Sequence, residues 1–107
     1  MSTIENTVVD NYTPSEFYLG QNYPNPFIEK TIIKFCVAYK TKVRLEVFNS
    51  ERKMIKILID EEKEAGTYEI EFNAVETGHA PSLQSKTYYY QLIAGDYKCE
   101  KRMALKK

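Results

Sequence analysis

Val43-Arg44-Leu45-Glu46-Val47-Phe48 places apolar residues at every second position, with the charged Arg44 and Glu46 between them. Side chains alternate between two faces along a β-strand, whereas a helix repeats every 3.6 residues. The stretch therefore predicts a strand with one face on a core and a charged face in water. The same period recurs on either side. Ile33, Phe35 and Val37 alternate with Lys34 and Cys36, and Tyr68, Ile70 and Phe72 alternate with Glu69 and Glu71. Thr87 to Ile93 is strongly β-prone, and Ala94-Gly95-Asp96 predicts a tight turn into a last strand, Tyr97 to Leu105. Met54 to Ile59 is more uniformly apolar, but its β-branched Ile55, Ile57 and Ile59 favour a strand.

Between these runs lie turn and loop signals. Asn49 to Lys53 reads as a polar turn. Asp60 to Ala65 reads as a solvated acidic loop, closed by a Gly66 suited to positive φ. Asn73 to Lys86 is the longest irregular stretch. Short strands with turns at roughly ten-residue spacing are the pattern of an antiparallel β-sandwich. A chain of 107 residues, 43% apolar, suits a single domain with one two-layer core. Residues 1–16 are polar without sustained period and read as a flexible leader, leaving 17–107 as the folded unit. The expected inward set is Ile33, Phe35, Val37, Val43, Leu45, Val47, Ile57, Tyr68, Ile70, Phe72, Tyr88, Tyr90, Leu92, Met103 and Leu105.

One segment follows neither period. Asn22-Tyr23-Pro24-Asn25-Pro26-Phe27 combines two prolines, two asparagines and two aromatics in six residues. Proline fixes φ and drives the preceding residue out of the helical region, and asparagine bonds nearby backbone in turns. Nothing in the segment supports chemistry. It reads as a rigid element anchored by Tyr23 and Phe27, either a recognition surface or a plug over one end or edge of the sandwich, where proline blunts edge pairing.

The pieces also stand in a telling order. Gln21-Asn22-Tyr23-Pro24-Asn25-Pro26-Phe27 is followed by Thr31-Ile32-Ile33-Lys34-Phe35 and Val43-Arg44-Leu45-Glu46-Val47-Phe48-Asn49. Ala65-Gly66-Thr67-Tyr68-Glu69-Ile70-Glu71-Phe72, Tyr88-Tyr89-Tyr90-Gln91-Leu92, Gly95-Asp96 and Lys101-Arg102-Met103-Ala104-Leu105 complete the series. Over residues 17–107 this order resembles the C-terminal sorting domain of cargo proteins of the type IX (Por) secretion system. It is similar also to the immunoglobulin-like domain of flagellar hook-capping proteins. The resemblance implies an immunoglobulin-like sandwich of about seven strands, non-catalytic, serving as an address read by export machinery. Pro24, Asn25 and Pro26 stand at the family's Pro-Asn-Pro element. Lys101, Lys106 and Lys107 belong to its final lysine-bearing strand. The chain departs from the family at Ile28-Glu29, Glu51-Arg52, Phe72-Asn73-Ala74 and Ser85-Lys86. The alternative is a stand-alone structural protein-protein interaction module with the same fold, capping or stiffening a filament or surface protein, or pairing weakly with itself through strand edges.

Composition narrows the remaining classes. Lys plus Arg and Asp plus Glu number 15 each, which does not suit a nucleic-acid binder. No apolar run approaches the roughly 18 residues of a membrane span. The first ten residues lack the basic start and apolar stretch of a signal peptide. The expected location is therefore secreted or cell-surface if the chain belongs to a longer precursor, and cytoplasmic if Met1 is the true start. Cys36 and Cys99 make no disulfide framework, and the reading favours two free thiols. His79 has no second ligand at metal spacing, and Asp60, Glu61, Glu62 and Glu64 lack the spacing of a calcium loop. Tyr88, Tyr89 and Tyr90 suggest a sugar-stacking row, but period two sends Tyr88 and Tyr90 to the core and Tyr89 to the surface. With no phosphate loop, no nucleophile elbow and no base placed beside either cysteine, the reading is of a protein that is not an enzyme and takes no cofactor or metal.

Overall fold

The computed structural model describes residues 7–8, 16–74 and 86–106. They form eight strands: β1 (Thr7–Val8), β2 (Tyr18–Leu19), β3 (Lys30–Val37), β4 (Thr41–Phe48), β5 (Met54–Lys63), β6 (Gly66–Asn73), β7 (Lys86–Ala94) and β8 (Tyr97–Leu105). Two four-stranded antiparallel sheets, ordered β1-β6-β3-β2 and β5-β4-β7-β8, face each other across one core. The fold is thus the antiparallel β-sandwich that the alternation predicts. Within the segment read as a flexible leader, Thr7–Val8 pairs with Glu69 and Tyr68 of β6; residues 1–6 and 9–15 lie outside the described residues. The same is true of His79, Lys107 and most of the 73–86 stretch.

The period-two reading of the core holds at fourteen of its fifteen positions, from Ile33 (0% exposed) to Leu105 (1%). Phe27, Phe72 and Tyr88 form one aromatic knot, with ring centroids 5.8–6.4 Å apart. Ile57 is the exception. It is 39% exposed, and Ile59 (4%) takes the inward place instead. The cause is a β-bulge. Leu45 pairs with Ile59 but the next residue, Glu46, pairs with Ile57, so Leu58 is an extra residue in β5. An extra residue flips everything beyond it to the other face, and Ile57 lands opposite outward-facing Glu46. A second irregularity between Val47 and Phe48 bends the same strand again.

The acidic stretch is also strand rather than loop: β5 runs through Asp60, Glu61 and Glu62 to Lys63. Its acids meet cations: Asp60 lies 3.5 Å from Lys42 and 3.3 Å from Arg44, and Lys40 reaches both Glu62 and Glu64. Such cross-strand pairing lets charged residues extend a ladder. Gly66 consequently sits within β6, opposite Val37, where a Cβ would make only ordinary contact with the Tyr68 ring, 3.5 Å away. Among the described residues the left-handed glycine is Gly95 (φ 59°), in the β7–β8 hairpin turn. In the Asn49–Lys53 turn Arg52 takes φ 68°, held by Asn49 Oδ1, which accepts from the Glu51 and Lys53 amides.

The bulge yields a contrast measurable by chemical denaturation. Ile59→Ala is expected to lose about 2–4 kcal/mol as a buried truncation, whereas Ile57→Ala stays within about 0.5 kcal/mol. Equal losses would contradict the observed register.

Candidate functional site

The Asn22–Phe27 element does more than cover an end. Residues 17–28 form a strap along one open side of the sandwich, bonded to β3 of one sheet and β8 of the other. On the β3 side, the Gly20 amide donates to Lys34 O (2.8 Å), and Tyr23 and Ile32 exchange both backbone bonds at 2.9 Å. On the β8 side, Gln21 Nε2 donates to Arg102 O (2.7 Å), and Asn25 Oδ1 accepts from the Ala104 amide (3.0 Å). Phe27 then donates to Ala104 O (2.9 Å) and accepts from the Lys106 amide (2.6 Å). Two peptide bonds of the strap, Tyr23–Pro24 and Asn25–Pro26, are cis.

Proline fits here because both prolines fall where no ladder amide is required. The apolar anchors are Leu19 and Phe27, each 1% exposed. Tyr23, expected as an anchor, is instead 79% exposed. Its backbone pairs with Ile32, and that pairing aims its ring away from the core.

Beneath the strap lies a buried polar network. The Tyr90 hydroxyl donates to Gly20 O (2.7 Å) and accepts from the Asn22 amide (2.8 Å). Asn22, 2% exposed, donates from Nδ2 to Pro24 O (3.1 Å) and Thr31 Oγ1 (3.0 Å), and its Oδ1 accepts from Gln21 (2.7 Å). Thr31 Oγ1 donates onward to Pro24 O (2.9 Å). Period two places Tyr90 in the core; the backbone its hydroxyl meets is seen only in the structure. Thr31 and Gln21 were not singled out by sequence, although Thr31 shares its parity with Ile33, Phe35 and Val37. Nothing in Gln21 itself signals an atom within reach of β8.

Burial raises the pKa of Tyr90 well above the ordinary tyrosine value, and raises that of Tyr88 in the same direction. Tyr97 is pushed up to about 12, first by burial and then by the Cys99 thiol beside it. Tyr88 differs from Tyr90 in one respect: its hydroxyl is buried without a hydrogen-bond partner. Burial of both rings removes the sugar-stacking row. Tyr89 is on the outer face, half-buried under the Arg52 guanidinium 4.1 Å from its ring centroid, and Arg52 in turn binds Glu100 (2.6 Å).

The remaining candidates scatter. Lys101 is half-buried in the middle of β8, paired with Tyr90, and Lys106 is exposed next to the backbone of Phe27. Cys36 lies on the outer face of its sheet, 3.6 Å from Thr67 Oγ1, whereas Cys99 packs against the core from the other sheet; both thiols are free. Among the described residues no helix is long and apolar enough to cross a membrane. On the strap itself the large apolar side chains in solvent are Tyr18 (50%), Tyr23 (79%) and Ile28 (66%). No family model matches the chain, and no curated protein matches it.

Two measurements test the network. Tyr90→Phe strips partners from two buried backbone groups and is expected to cost about 1–3 kcal/mol, whereas Tyr88→Phe removes an orphan hydroxyl and is neutral or stabilising. A Tyr88→Phe loss as large as that of Tyr90→Phe would contradict the assignment. Alkali supplies the second. A raised pKa means the folded state keeps protons that the unfolded chain releases above its ordinary value of 10.0. Stability from these tyrosines is therefore whole below about pH 10 and falls as pH rises beyond it. Unfolding free energies followed upward from about pH 9 should decline, and less steeply in Tyr90→Phe.

Proposed function

We propose that this chain is a non-catalytic sorting or accessory domain of a secreted or surface protein, acting by docking onto export machinery. The observation that carries the reading is how the Pro-Asn-Pro segment divides its side chains. Its asparagines turn to the fold, Asn22 to Thr31 and Asn25 to Ala104. Tyr23 and Ile28, with Pro24 and Pro26 between them, project into solvent. Large apolar side chains kept in water on a rigid support favour a protein partner. The sequence resemblance supplies the class of partner, and a longer precursor would supply the route out of the cytoplasm.

A second reading, the stand-alone interaction module, is favoured by β5. It is an edge strand of ten residues with Met54 (48% exposed) and Ile57 (39%) in solvent. Such an edge can pair with another chain, though its bulges and charges weaken self-association, and light scattering across concentration reads it directly.

The sorting reading is tested by fusing residues 17–107 to a signal-peptide-bearing reporter in a type IX-competent bacterium. The expected result is reporter at the cell surface or in the medium, lost in a Tyr23→Ser/Ile28→Ser variant that melts like the parent. A reporter that remains periplasmic rules out sorting.

A further inference from the structure

The strap and β8 run in the same direction. Phe17 stacks on Tyr97 at 5.6 Å, Gln21 meets Arg102, Asn25 meets Ala104, and Phe27 pairs in parallel with Leu105. As the number rises along one segment it rises along the other. The strap therefore begins at the end of the β7–β8 turn, and residue 106 stands at the opposite end. Tension applied between the two sides of the chain draws the strap one way and β8 the other, along the axis they share.

That geometry decides how the bonds share load. Strands pulled apart crosswise lose their hydrogen bonds one at a time. Strands slid lengthwise must break them together. Here Gln21–Arg102, Asn25–Ala104, Phe27–Ala104 and Lys106–Phe27 are all strained at once. The strap is held from behind as well, by its backbone bonds to Lys34 and Ile32 and by the Tyr90 hydroxyl under Gly20 and Asn22. β1, paired at only two positions, is the weak element ahead of the clamp.

We infer that the domain is a force-bearing link, in which the strap and β8 form a shear-loaded clamp between whatever is joined to its N-terminal side and whatever is held at its C-terminal side. The inference stands apart from the export reading. It needs no recognition by a translocon and uses the inward-facing side of the strap.

Single-molecule pulling tests it, with the full chain held between handles at its two ends. The wild type is expected to show a distinct main force peak. Gln21→Ala and Asn25→Ala should each lower that peak by about a fifth or more at fixed pulling speed, because forced unfolding follows the unfolding barrier. Ile59→Ala, on the distant β5, should lower thermal stability at least as much and leave the peak essentially unchanged; Ile59→Val takes its place if the alanine variant does not fold. A peak that tracks thermal stability across the variants, or a wild type whose strap peels away without a peak, overturns the inference.

Discussion

Tyr90 holds the two layers in register with the strap that closes them. Its ring is fully buried in the core on β7, and its hydroxyl meets the backbone of Gly20 and Asn22. A buried phenol without partners is costly, so Tyr90 is stable there only with the strap in place. The strap, in turn, is short and proline-rich and has few ladder bonds of its own. Asn22, Thr31 and Gln21 complete the arrangement, each satisfying another. A polar network of this kind tolerates few alternative geometries, because any shift leaves a buried group unpaired. It sets the path of residues 17–28 with a specificity that apolar packing alone would not give.

The sandwich is consequently unlike on its two sides. Where β2 and β8 lie, the strap joins sheet to sheet and occupies edge groups at Arg102, Ala104 and Lys106. Where β5 lies, edge protection comes from bulges and charge. Two register breaks twist the strand, and its acidic half is tied across to Lys42 and Arg44. These surface ion pairs add little stability individually. Their effect is to keep an acidic strand paired to β4 while presenting a poor template to another chain.

Most of the fold was legible because period two is strong where one face is buried and the other charged, as in β3, β4 and β6. The reading slipped where the chain breaks its own period. Ile57 has the composition and the parity of a core residue, and only the extra residue Leu58 sends it outward. Asp60 to Glu62 read as loop because acids are poor strand formers in isolation; their partners on β4 are visible only once the strands are paired. Gly66 read as a turn residue, although it lies within β6, paired with Val37. Tyr23 read as an anchor by its aromaticity, but Leu19 and Phe27 fill the core on either side of it.

Alternation along each strand, a local property of neighbouring residues, determined the all-β class and most inward positions, and the two prolines determined a rigid element at Asn22–Phe27. Only the tertiary structure decided what that element touches. Its hydrogen bonds to β7 and β8 join residues separated by 68 to 81 positions, as in Asn22–Tyr90 and Gln21–Arg102. No local pattern encodes which distant atom a side chain will reach, because that depends on how two sheets stack and where a bulge resets the register. The proline-rich segment announces its rigidity in sequence, and becomes a clamp between two sheets only through the packing around it.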